Sequence, residues 1–214
     1  RHDHELPPAW TPMLPWLLAP EQLALHWSSW VSRLDRWPTH DLSAALYGQQ
    51  TFVNGVPQTL ARWPDEGFVK TGELLGQDTF KVWNSIAGCR DGRFRYIEER
   101  PSTWADEPDV RLYGYWFWDW YEECQKVERI DPSEHSYTLA QPYSQYGYRS
   151  GQRYYALNVL RELDQPGEWY LDRQRGKVFW LPPENVDVAK AEVVLSVLDR
   201  PFIALDNANH VLLL

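Results

Sequence analysis

Between residues 110 and 121 (VRLYGYWFWDWY), Trp116, Trp118 and Trp120 alternate with Tyr115, Phe117, Asp119 and Tyr121. A period of two is that of extended backbone, so this run predicts the longest strand of the chain, aromatic on both faces. Residues 92–99 (GRFRYIEE) predict a second strand, with Phe94 and Tyr96 on one face and arginines on the other until the pattern shifts at Ile97. Three hairpins are legible. Asn54-Gly55 between β-forming residues supplies the two positive-φ positions of a tight turn. Residues 125–130 and 136–139 flank a turn at 131–134, and residues 169–172 and 177–181 flank the polar turn 173–176.

Helical spacing is rarer. Leu23, His26, Trp27, Trp30, Val31 and Leu34 recur at three- and four-residue intervals after Pro20-Glu21 and predict a helix that stops before Pro38. Residues 155–163 (YALNVLREL) predict a short helix ending in the turn residues 164–167. The proline-rich residues 1–16 read as an extended arm, and residues 142–151, with three tyrosines and two glycines, as an ordered loop. From Ala191 onward, residues 192–197, 201–205 and 211–214 are short apolar strands punctuated by an Asn-rich turn, the pattern of a parallel β-helix rung.

The chain has 214 residues and a net charge of −9, and no segment concentrates Lys and Arg. Phosphate backbones would find no counter-charge, so nucleic acid is not an expected partner. No apolar run approaches the roughly twenty residues of a spanning helix, so no membrane insertion is expected. The chain begins Arg1-His2-Asp3-His4, without Met or the pattern of a signal peptide, and it stops on an apolar strand. Both ends are therefore expected to belong to something larger, since a bare terminal strand invites pairing.

Trp116, Trp118 and Trp120, about seven ångströms apart along one strand face, are the candidate carbohydrate-binding residues, a flat strip on which sugar rings would stack. Burial of the same rings between two sheets is the competing reading, and it is favoured because Tyr115 and Phe117 cannot also face solvent. Asp119 and Glu123 are the candidate catalytic pair, since glycoside hydrolysis uses two carboxylates a short distance apart. Solvated acidic residues at a strand end explain them as well. Cys89 and Cys124 are the candidate disulfide, with unpaired buried thiols as the alternative. His2, Asp3 and His4 lack a third ligand, the histidines at 26, 40, 135 and 210 are scattered, and no metal site or cofactor is expected. Glu98, Glu99 and Arg100 read as a solvated strand end with weak local ion pairs.

Three blocks carry a resemblance: residues 58–68 (QTLARWPDEGF), the aromatic run 115–120 (YWFWDW), and residues 151–155 (GQRYY) with 163–173 (LDQPGEWYLDR). Together they resemble large bacterial right-handed β-helix proteins related to glycoside hydrolase family 141. The resemblance implies a module inserted in the early coils of a β-helix that handles polysaccharide, with the acidic catalytic residues on coils beyond Leu214.

The expected fold is mainly β: a β-sandwich-like module with one or two short helices, leading into the start of a right-handed parallel β-helix. Residues 1–50 would be an arm and helix, 51–190 the module, and 191–214 the first β-helix strands. The expected role is an accessory segment of a secreted, periplasmic or cell-surface polysaccharide-processing protein, not itself a complete enzyme. Expected partners are a polysaccharide or oligosaccharide, and the remainder of the parent β-helix or another chain at the C-terminal edge. A stand-alone carbohydrate-binding module and an assembly protein pairing through that edge are the alternatives.

Overall fold

The computed structural model describes residues 50–196 and Asp206. The expected arm, the helix over 21–34, the terminal histidines and the strands at 201–205 and 211–214 lie outside the described residues. β1 (Thr51–Val53) and β2 (Val56–Pro57) form the hairpin expected at Asn54-Gly55, where the two turn residues have φ of 50° and 76°. Next come β3 (Thr59–Leu60), β4 (Arg62–Trp63), β5 (Val69–Leu74), β6 (Thr79–Val82), β7 (Ile86–Cys89) and β8 (Arg93–Tyr96). The second half supplies β9 (Arg111–Gly114), β10 (Glu123–Asp131), β11 (Ser136–Leu139), β12 (Arg153–Leu157), β13 (Glu168–Asp172), β14 (Lys177–Trp180) and β15 (Val193–Leu195).

The strands form a barrel where two stacked sheets were expected. Six strands follow one another in the order β5, β8, β11, β10, β9, β12, and β12 returns to β5, each pairing antiparallel. The seam lies at β12: Tyr154 pairs with Gly114 of β9 on one side and with Val69 of β5 on the other. Closure leaves these strands without open edges, and it puts one face of each inside. Period-two alternation then decides the lining. In β8, Phe94 and Tyr96 are buried while Arg93 and Arg95 lie half-exposed, and in β12 Tyr154 and Ala156 are buried while Arg153 and Tyr155 face outward. Trp104, Leu112, Trp116, Tyr137 and Leu139 complete the core.

Both hairpins expected in the second half form. Asp131 Oδ1 accepts the backbone N–H groups of Ser133 and Glu134, which closes the β10–β11 turn as an Asx turn. β13 and β14 pair through Trp169↔Trp180, and β13 also takes β3 in parallel. Val53, Trp169, Leu171, Val178 and Trp180 make a second, smaller core.

Three local expectations are corrected. The helix over 155–163 is instead the end of β12 followed by a 3-10 turn, Leu160–Glu162. Asn158 interrupts it at φ 56°, and extended pairing of residues 154–157 with β9 outweighs the local helical spacing. Arg100 belongs to no solvated strand end: it opens the 3-10 helix Arg100–Trp104 and makes two bonds, of 2.7 and 3.1 Å, to the buried carboxylate of Glu162. Trp104 Nε1–H donates to the same carboxylate at 2.6 Å. Finally, β15 pairs antiparallel with β1, through Thr51↔Leu195 and Val53↔Val193. A stacked β-helix rung would pair in parallel, so a β-helix start is not seen among the described residues.

Candidate functional site

The long strand expected over 110–121 stops at Gly114. Beyond it, bonds to distant residues take over from the period-two pattern. Arg149 N–H donates to the Trp116 carbonyl, Gln152 Nε2–H donates to the Phe117 carbonyl at 2.6 Å, and Tyr121 N–H closes a turn onto the Trp118 carbonyl. The three tryptophans therefore do not share one strand face. Trp116 turns inward to 1% exposure, against Phe94, Tyr148 and Tyr154, and its indole N–H donates to the Glu123 carbonyl at 2.9 Å. For Trp116 the core reading holds. Trp118 is half-buried at the surface, and Trp120, a central residue of the turn, is 66% exposed.

Trp118 and Trp120 lie near-parallel, with ring centroids 6.3 Å apart and planes inclined by 11°. Trp83 extends the row on one side, its ring 5.8 Å from Trp118, and Tyr146 on the other, its ring 5.4 Å from Trp120. Trp83 occupies the tip of the β6–β7 hairpin at φ 49° and is 78% exposed. A bulky residue in the left-handed region is a genuine outlier, and such conformations cost on the order of 1–3 kcal/mol and concentrate at functional sites. The hairpin is seated by Phe80, stacked on Phe117 at 5.3 Å, and by Gly88, where any Cβ would come within 2.5 Å of the Phe117 ring. Sequence reading missed Trp83. Its only signal was Trp-Asn-Ser as a three-residue tip between short β-forming runs, and Trp is disfavoured where φ is positive.

The candidate catalytic pair is not brought into one cluster. Asp119 is exposed and ion-paired to Arg153 at 3.0 Å and to Arg149 at 3.8 Å. Glu123 opens β10 opposite Gly114, with one carboxylate oxygen shut away from solvent and unpartnered. No hydrogen bond or ion pair joins the two. Cys89 and Cys124 are separate thiols, so the expected disulfide is absent. Cys89 receives the Asp91 N–H at 3.4 Å, whereas Cys124 sits on β10 near Arg111, Asp109 and Arg173, where burial pushes its thiol up to about 11. Neither is a poised nucleophile. Among the described residues no three His, Cys, Asp or Glu side chains gather as a metal site would require, and no helix is long and apolar enough to cross a membrane.

Other buried carboxylates are structural. Glu168 is 3% exposed and accepts the N–H groups of Asp164 and Gln165, and burial pushes its carboxyl up to about 7 from an ordinary 4.5. Because the folded value lies above the unfolded one, the folded state binds the extra proton between them, and stability falls as pH rises from about 4.5 to about 7. Glu107, Glu162 and Asp164, also raised by burial, act in the same direction. Denaturant titration across this range is expected to show Glu168→Gln losing less stability than the parent, by on the order of 2 kcal/mol at the alkaline end. Parallel pH profiles would contradict it.

No family model matches the chain, and no curated protein matches it. A solved structure named "Glycoside hydrolase" is similar over 67% of this chain and 26% of its own, at 18% identity and a TM-score of 0.48. The chain thus spans about a quarter of that structure's length. The comparison reaches neither a β-helix nor family 141.

Proposed function

We propose that this chain binds polysaccharide through the exposed aromatic row Trp83, Trp118, Trp120 and Tyr146. The observation that carries the reading is the row itself: four aromatic rings at the surface, three of them indoles, on three segments held together by Phe80 against Phe117 and by backbone hydrogen bonds from Tyr148 to Cys89 and from Arg149 to Trp116. Keeping large apolar rings in water forgoes roughly 25 cal/mol for each Å² left unburied, so exposed patches of this kind mark ligand or partner surfaces. The apolar C–H face of a pyranose carries partial positive charge and suits the negative face of an indole. Its hydroxyl rim needs polar partners, and the Asp119 carboxylate with Arg149 and Arg153 supplies them beside the row.

Rigidity supports the same reading. The loop from Tyr115 to Glu122 is tied to the barrel by Gln152, Arg149 and Arg153, so ordering it costs little on binding. The chain acts as an accessory segment of a larger, extracytoplasmic polysaccharide-processing protein, holding glycan for chemistry performed elsewhere; no cleavage is assigned to Asp119 and Glu123. The remainder of that protein belongs to the same proposal.

Titration calorimetry against neutral and acidic oligosaccharides tests it. Trp120→Ala is expected to weaken binding about tenfold and the Trp83→Ala, Trp120→Ala double variant about a hundredfold, each ring contributing roughly 1.4 kcal/mol. Both side chains are largely exposed, so melting temperatures should stay within a few degrees of the parent. Unchanged affinity in the double variant would overturn the proposal.

A further inference from the structure

We infer that the row continues into an anion-binding subsite, which makes the preferred glycan an acidic one; this rests on the aromatic-row reading and adds to it the class of sugar. The register of β12 against β5 places Arg153 directly opposite Lys70, and both side chains project from the outer face of the barrel. Like charges directly opposed across a strand pair destabilise it. Among the described residues Lys70 has no carboxylate within ion-pair distance, while Arg153 and Arg149 share the single carboxylate of Asp119. Glu122, hydrogen-bonded to the Tyr115 hydroxyl that Arg153 also contacts, is a second anion at this spot, so three cations face two anions and leave one positive charge in excess, in a chain whose net charge is −9.

Beside them runs an open groove of about 820 Å³ between β5 and β7, lined by Lys70, Leu74, Ile86, Ser150 and Arg149. Glu73 also lines it but is engaged by Arg95 at 3.1 Å. Arg149 belongs to both places: it lines the groove and, through Asp119, flanks the Trp118–Trp120 turn. The wall carrying Ile86 is part of the same hairpin that holds Trp83 at its tip. A saccharide lying on the indoles would therefore direct a substituent toward Arg149 and Lys70. The group that matches is an anion, a uronate carboxylate or a sulfate ester, whose fixed charge answers the excess positive charge. A neutral hydroxyl would leave it as it is.

The probes are oligogalacturonate and its methyl ester, which share a backbone and differ in charge, together with dextran and dextran sulfate. At low salt the acid is expected to bind about tenfold more tightly than the ester, and the ratio should shrink toward one in concentrated salt. Lys70→Gln and Arg149→Gln should each narrow that ratio, which a merely structural role would not do. Tighter binding of dextran sulfate than of dextran extends the subsite to sulfate esters. Equal affinity for acid and ester, with both still weakened by Trp120→Ala, would overturn the subsite and leave the aromatic row standing. Absence of binding to all four would overturn both.

Discussion

Asn158→Ala is expected to lower the unfolding free energy by about 4 kcal/mol. The residue is fully buried and joins the barrel to the second core. Its carboxamide N–H groups donate to the Leu171 carbonyl at 3.1 Å and to Asp109 Oδ2 at 3.3 Å, and its Oδ1 accepts the Leu171 N–H at 2.9 Å. Asp109 is itself gripped by Arg111 at 3.2 Å and Arg173 at 2.6 Å. Truncation leaves a backbone N–H and a carbonyl of β13 buried without their partner, at about 1–3 kcal/mol for each orphaned group. A φ of 56° adds about 1 kcal/mol for any residue with an ordinary side chain. Asn158→Gly separates the two causes: it should recover the backbone part, about 1 kcal/mol, and none of the hydrogen bonding. Thermal unfolding would read the Ala variant as a drop of about 10 °C. Equal stabilities for the Ala variant and the parent would show that the carboxamide does not join the two cores.

Trp116→Ala should cost a similar 3–5 kcal/mol, and its interest lies in the contrast with Trp120→Ala. Trp116 fills the barrel against Phe94, Tyr148 and Tyr154, with ring centroids 5.8–6.1 Å away, and spans to the Glu123 carbonyl by its indole N–H. Removing it opens a cavity the surrounding rings cannot collapse into, and it orphans that carbonyl. The expected result is a destabilised barrel whose surviving folded fraction still binds glycan, whereas Trp120→Ala keeps its stability and loses affinity. If Trp116→Ala proved as stable as the parent, the aromatic core described here would be wrong.

That contrast also shows how far the sequence could be read. Features set by neighbours along the chain were legible. The Asn54-Gly55 turn, the Asp131 turn and the alternation of Phe94 and Tyr96 with arginines need only local backbone preference and a period of two. Closure of the barrel was not, because the β9–β12 and β5–β12 seams join residues 40 to more than 80 positions apart that no local pattern relates. The aromatic row failed for the same reason. Period two persists through residues 116–120, yet bonds from Arg149 and Gln152 bend the backbone and send Trp116 inward while Trp120 turns outward. Trp118 and Trp120 were identifiable as candidates by residue type, and Trp83 could join them only once the β6–β7 hairpin had been placed against Phe117.

The most direct measurement is a crystal structure of the protein with a bound oligosaccharide. It should show pyranose rings lying face-on along Trp83, Trp118 and Trp120, with hydroxyls reaching Asp119 or Arg149. A sugar seated on another face, with the three indoles bare, would contradict the account.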